Sequence, residues 1–329
     1  MTTPAIVAAV DCGTNSIRLL VSEQAPDGSL RDLAREMTIV RLGEGVDSTG
    51  MFSSVAIERT REALAGFVET ARSLSATAVR MVATSATRDA GNRDDFFDMT
   101  RAQLGGLVPG AAAEVISGDT EAELTFAGGV ADLDPAHGPF VVTDLGGGST
   151  EIVVGEVDER GEVSVLGGES VDVGCVRLTE RVLHDDPPTD AQVREARAVI
   201  AEEFERVSGV PLERARRWVG VAGTFTTLGA LALDLREYDS ALIHGTEVDS
   251  ARFREINEWL VGMSGRSRAE LGPMHPGRAD VFAGGSLVAM ALADLMSERA
   301  GIDRLFVSEK DILDGIAASV FAGAGWHAK

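Results

Sequence analysis

Val10-Asp11-Cys12-Gly13-Thr14-Asn15-Ser16-Ile17-Arg18-Leu19-Leu20-Val21 and Thr143-Asp144-Leu145-Gly146-Gly147-Gly148-Ser149-Thr150-Glu151-Ile152-Val153-Val154 align without a gap, at a constant offset of 133 residues. Each stretch reads apolar strand, Asp-x-Gly, small polar turn, apolar strand, and Asp, Gly and Ser recur in register. Repetition at about the length of one domain points to two similar halves with a cleft between them. A glycine-rich hairpin lets backbone N–H groups converge on an anion without Cβ interference. An aspartate at the strand end suits Mg²⁺, held mostly through water. The expectation is therefore two facing cradles for one phosphate chain. Gly146, Gly147, Gly148, Ser149 and Thr150 form one and Thr14, Asn15 and Ser16 the other, with Asp11 and Asp144 sharing the cation.

Outward from the repeat, strand and helix patterns alternate, which favours an α/β architecture. Strands are expected at 6–10, 17–22, 35–42, 79–83, 114–116, 140–143, 151–157, 163–165 and 305–308. The 53–74 stretch has helical spacing, with Ile57, Leu64, Phe67, Val68, Ala71 and Leu74 on one face and Ser53 or Ser54 as cap. Further helices are expected after Asn92, from about Asp119, and at 190–207, 225–234, 251–263, 280–298 and 312–321. The domains are expected at 1–125, completed by 309–329, and at 126–308.

Composition narrows the chemistry. Lys+Arg 30 against Asp+Glu 52 leaves a net charge of −22 over 329 residues. That balance argues against nucleic-acid and anionic-membrane partners, because a phosphate backbone needs a basic face. Lys310 and Lys329 are the only lysines, so no Gly-Lys-Ser/Thr phosphate loop exists, and with both near the C-terminus a kinase strand lysine or Schiff-base lysine is not expected. There is no Gly-x-Ser-x-Gly elbow and no Gly-x-Gly-x-x-Gly fingerprint. Phosphate chemistry here must use glycine backbone and arginine. Cys12 and Cys175 have neither metal nor disulfide spacing, and the five histidines are scattered. The opening run 5–10 is cut off by Asp11 and follows no basic residues, so no secretory signal is expected. No run approaches the ~20 apolar residues of a membrane span. A cytoplasmic location is expected.

A third element, Trp218-Val219-Gly220-Val221-Ala222-Gly223-Thr224-Phe225, reads strand, Gly-Thr turn, helix, and a helix start presents free N–H groups to an anion. With it, the chain resembles the actin-like ATPase and sugar-kinase fold. More closely, it is similar to the exopolyphosphatase and guanosine-pentaphosphate phosphohydrolase family in its short two-domain form. The resemblance is carried by 11–21, 83–92 (Ala-Thr-Ser-Ala-Thr-Arg-Asp-Ala-Gly-Asn), 116–123 (Ile-Ser-Gly-Asp-Thr-Glu-Ala-Glu), 143–155, 221–231, and Arg278-Ala279-Asp280 followed by Gly284. It implies two actin-like, ribonuclease H-like α/β domains.

The resemblance also implies roles. On the residues alone, Glu121 is a first-turn glutamate favoured by the helix dipole. By resemblance it is the general base that primes water for in-line attack. Glu151 matches a family carboxylate near the metal and the attacking water. Arg18 matches a position reaching substrate phosphate or nucleotide. Arg88, Arg93 and Arg278 could hold chain phosphates through their planar forks, and Gly223 and Thr224 lie in the third turn. Cys12 stands where the family has an aliphatic residue, and Asp311-Ile312-Leu313-Asp314-Gly315 departs from the family's Gly-Leu-Arg-Glu-Gly. The implied reaction is Mg²⁺-dependent release of terminal phosphate from inorganic polyphosphate. The rivals are guanosine pentaphosphate hydrolysis and a nucleotide-binding regulatory protein, for instance a binder of guanosine tetraphosphate. Short members of this family often pair into a homodimer.

Overall fold

The computed structural model describes residues 6–25 and 28–327. Ala5, which begins the expected opening run, and Ala328 and Lys329, which end the expected first domain, lie outside the described residues. The chain divides into two compact units. One comprises the described residues up to Leu124 with those from Ile312 onward, the other Thr125–Asp311.

In the first unit β1 (Ile6–Cys12), β2 (Ser16–Gln24) and β3 (Leu30–Ile39) form an antiparallel meander. β4 (Ala78–Ala83) joins β1 in parallel and β5 (Glu114–Val115) follows on β4. In the second unit β6 (Phe140–Leu145), β7 (Thr150–Val157) and β8 (Val163–Val171) repeat the meander. β9 (Arg217–Val221) joins β6 in parallel. β10 (Glu247–Asp249) lies antiparallel on β11 (Arg304–Val307), which runs parallel to β9. The order β3-β2-β1-β4-β5 is thus repeated as β8-β7-β6-β9-β11, and the duplicated stretches are the same hairpin in both sheets. β12 (Trp326–His327) pairs β4 alongside β5. Continuous apolar runs in β1 and β6 suit central strands covered on both faces, and every residue of β6 is buried.

Helix Ser54–Ser73 begins as its pattern predicts: the Ser53 side chain accepts from Ala56 N–H, and Leu64, Phe67, Val68 and Ala71 are buried. Ile57 and Leu74 are only partly buried at the edge of that core. The third strand begins five residues before its expected start and stops at Ile39. Val40 and Arg41 N–H instead donate to Asn15 O, at 3.1 and 2.9 Å, so the chain leaves the ladder to wrap the first turn. Asp144 and Leu145 extend β6 rather than opening the turn. The 190–207 helix is α-helical only to Phe204 and closes in a 3₁₀ turn, while the 225–234 helix starts earlier, at Ala222. Helices Ser85–Asp89 and Cys175–Val182 were not expected from periodicity; both are too short to show it.

Helix Gly118–Gly129 runs from the first unit into the second, and helix Ile312–Phe321 returns to the first. Its Ile312, Leu313, Ile316, Ala317 and Val320 pack with Val7, Ala9, Leu20, Ala78 and Val82. Asp314, in the segment that departs from the family pattern, accepts from Arg35 Nη2 at 2.8 Å. No described helix is long and apolar enough to cross a membrane. A Cβ on Gly315 would lie 2.0 Å from Leu124 O, whereas one on the exposed, helical Gly66 meets nothing within 4 Å. Gly315→Ala is therefore expected to destabilise the fold by about 1–3 kcal/mol, as overpacking does. Gly66→Ala should stabilise it by about 0.5–1 kcal/mol through helix propensity. Urea unfolding of both variants checks the opposite signs.

Candidate active site

The antiparallel register of β1 and β2 sets Asp11 directly across from Arg18. Arg18 donates to Asp11 Oδ2 from Nε at 3.0 Å and from Nη2 at 2.7 Å. In the turn between them, Thr14 O accepts from Gly43 N–H at 2.9 Å, and Asn15 O is taken by Val40 and Arg41 as above. In a trans peptide the C=O and the following N–H point oppositely. With Thr14 O turned onto Gly43, Asn15 N–H is directed away, and it meets no acceptor among the described residues. Thr14 is buried, and Asn15 and Ser16 are half-buried.

Glu121 sits in the first turn of helix Gly118–Gly129 and is 8% exposed. Arg88, in the last turn of Ser85–Asp89, donates from Nη1 to Glu121 Oε2 at 2.6 Å and to Ile116 O at 3.2 Å. Burial pushes the Glu121 carboxyl up to about 7, against the lowering effects of Arg88 and of a Thr84 hydrogen bond, and the nearby Asp11 charge adds to the rise. A carboxylate in that range is suited to taking a proton near neutral pH.

The second unit repeats the hairpin with different charges. Asp144 lies across from Glu151, and both are buried. Ser170, opposite Glu151 on β8, donates to its Oε1 at 2.7 Å. Gly146 O accepts from Cys175 N–H and Gly147 O from Val176 and Arg177 N–H, so the loop carbonyls bond the start of helix Cys175–Val182. By the same peptide geometry, Gly147 and Gly148 N–H point away from that helix, and neither meets an acceptor among the described residues. Two directed, unpartnered amides form the kind of cradle an anion occupies. Ser149 is buried, and the Thr150 hydroxyl is already committed to Val173 O at 2.6 Å. At the third turn, Ala222 takes φ +68° and helix Ala222–Ala232 begins. Arg278 lies so close against Gly223 that a Cβ there would meet its Nη1 at 1.4 Å. Thr224 is buried beside them.

Residues 20–320 match the model of the Ppx/GppA phosphatase family. The chain belongs to that family. It is 55% identical over 318 residues to a Mycobacterium tuberculosis protein named exopolyphosphatase 2, covering 95% of this chain and 98% of the relative. A solved exopolyphosphatase-like protein superposes with TM-score 0.90 at 36% identity, covering 96% of this chain and 98% of that one. The Aquifex aeolicus Ppx/GppA member superposes with TM-score 0.78 at 27% identity, covering 98% and 100%. The two units are thus the paired actin-like α/β domains of Ppx/GppA proteins.

The arginines expected to reach phosphate have these surroundings in the fold. Arg18 is engaged by Asp11, and Arg88 by Glu121. Arg93 is exposed at the first position of helix Arg93–Leu104. Sequence reasoning missed Gly43 and Gly174, which let neighbouring backbone reach the two turns. A Cβ on Gly174 would come within 2.5 Å of Gly147 O, and one on Gly43 within 2.4 Å of Thr14 Cγ2. No local signal was available, because the atoms each glycine makes room for lie 27 to 43 residues away in sequence. Among the described residues no three His, Cys, Asp or Glu side chains gather to hold a metal. Paired carboxylates at Asp144 and Glu151 nonetheless fit a hard cation that takes one or two protein oxygens and completes its shell from water and phosphate.

The ionised carboxylate alone accepts a proton, so with Glu121 as the base phosphate release would rise with pH through about 7, the value for Glu121. Arg88 holds that value down, so Arg88→Gln should move the acid limb of kcat to higher pH. A pH–rate profile showing an unmoved limb assigns the titration to another group.

Proposed function

We propose that this Ppx/GppA protein is an exopolyphosphatase that hydrolyses the terminal phosphoanhydride of inorganic polyphosphate with Mg²⁺. The observation that carries this reading is Glu121: a buried carboxyl lifted to about 7, oriented by Arg88 and Thr84 beside Asp11. The 55% identity to a relative named exopolyphosphatase 2 supports the same substrate.

In this reading Glu121 takes a proton from water as the oxygen attacks the terminal phosphorus. The bridging P–O bond breaks, and the shortened chain leaves with the bond's electrons as a phosphate oxyanion. Arg88 keeps the Glu121 carboxylate in one orientation throughout. Gly147 and Gly148 N–H donate to phosphate oxygens, and Arg278 holds phosphates of the remaining chain. Asp144 and Glu151 would hold Mg²⁺. Bound there, the cation would offset negative charge on the transferring phosphoryl group. The net charge of −22 opposes long-range attraction of a polyanion, so affinity has to arise from these local groups. The same reading includes a homodimer, on the family resemblance, and a cytoplasmic location, on the signal and cysteine pattern of the sequence.

Glu121→Gln should lower kcat for phosphate release by about 10²–10⁴, the usual range for losing a general base. It should leave polyphosphate binding measurable and the fold intact by circular dichroism. Near-normal turnover removes Glu121 from the role of base. Steady-state rates on polyphosphate of defined length and on guanosine pentaphosphate, at matched Mg²⁺, test the substrate. A higher kcat/KM for the nucleotide replaces the polyphosphate reading, and no release from either favours a regulatory binding protein.

A further inference from the structure

The largest charged side chain sealed inside the second unit is Arg268, on the short helix Gly265–Ala269, and it is 1% exposed. A buried guanidinium is costly unless all five of its N–H groups find acceptors. Here they do. Nε donates to Ala279 O at 2.6 Å, and Nη1 to Leu260 O at 3.1 Å and Met263 O at 2.6 Å. Nη2 donates to Asp186 Oδ1 at 3.4 Å and Asp280 O at 3.5 Å. Asp186 is itself fixed by Gly265 N–H, at 2.7 and 2.9 Å.

The four carbonyl acceptors lie on two stretches of chain. Leu260 and Met263 belong to the end of helix Ser250–Val261 and the turn after it, whose Phe253 stacks within the Trp218–Phe225 cluster of the core. Ala279 and Asp280 directly follow Arg278, in a loop whose only regular structure is the 3₁₀ turn Pro276–Arg278. The turn is further closed by Arg278 N–H to His275 O and by Gly277 N–H to His275 Nδ1. Arg268 therefore ties to the core the stretch of main chain from which Arg278 reaches Gly223.

We propose that Arg268 is a positioning residue for polyphosphate binding, acting through Arg278 by clamping the loop that carries it. The inference rests on the phosphate-binding role proposed for Arg278. Lysine cannot replace the clamp, because an ammonium has three donors and no planar fork to span five acceptors.

The test is a double-mutant cycle on the full chain with polyphosphate of defined length, with circular dichroism confirming the fold. Arg268→Lys should raise KM about tenfold while kcat stays within about twofold, the pattern of lost uniform binding. Arg278→Gln should raise KM as well, and adding Arg268→Lys to it should change nothing further, because the two act as one unit. A merely structural arginine would lower the folded fraction and leave KM alone. Independent, multiplicative effects overturn the inference, as does an unchanged KM in folded Arg268→Lys when Arg278→Gln raises it. A silent Arg278→Gln overturns the phosphate role of Arg278 first and the clamp with it. Should Arg268→Lys not fold, the half-exposed Asp186→Asn weakens the same clamp. It should give a smaller KM rise that vanishes in the Arg278→Gln background, and no rise overturns the inference.

Discussion

Cross-strand register at the end of a hairpin is the constraint on which the site depends. Side chains opposite one another on antiparallel strands stand about 4.5–5.5 Å apart at Cβ, so charges there must be matched or supplied with another partner. β1–β2 meets the requirement internally, Asp11 facing Arg18 in a two-point ion pair. β6–β7 places Asp144 against Glu151, and Ser170 covers one carboxylate oxygen. The two halves share this strand order and differ in the charges paired at the hairpin end. An ion pair thus closes the hairpin end in the first unit, and two acidic side chains face each other at the matching position in the second.

Both turns are also built by the same backbone device. Neighbouring segments take up the turn carbonyls: Val40, Arg41 and Gly43 in the first unit, and the start of helix Cys175–Val182 in the second. Because each peptide's C=O and N–H are antiparallel, occupying the carbonyls aims the amides outward. Close approach is required for this: a Cβ would strike the Gly147 and Gly146 backbone at 174, and the Thr14 and Ala86 side chains at 43. The cradle is thus a property of what packs behind the turn as much as of the glycines within it.

Glu121 shows how burial and charge combine. Desolvation raises its carboxyl, Arg88 and Thr84 pull it back, and Asp11 adds to the rise, leaving a group poised between acid and base. The Arg88 contact exists because helix Ser85–Asp89 springs directly from the end of β4, next to the strand carrying Asp11. A site made this way needs no histidine. His244 contacts Asp132 and His275 its own turn, and Arg217 bonds His137; none joins the catalytic groups.

The duplicated hairpin, the α/β alternation and the terminal helix Ile312–Phe321 were all legible in the sequence. They rest on local patterns: apolar runs, glycine turns, and motif spacing along one chain. What the tertiary structure alone decided is which charges meet. Arg18 meets Asp11, Arg88 meets Glu121, and Arg93 is exposed. Gly223 was found beside Arg278 although 55 residues separate them. Pairings of this kind depend on sheet register and on segments distant in sequence, and no periodicity encodes them. The proton affinity of Glu121 belongs to the same class, since it is set by the burial and the neighbouring charges that only folding brings together.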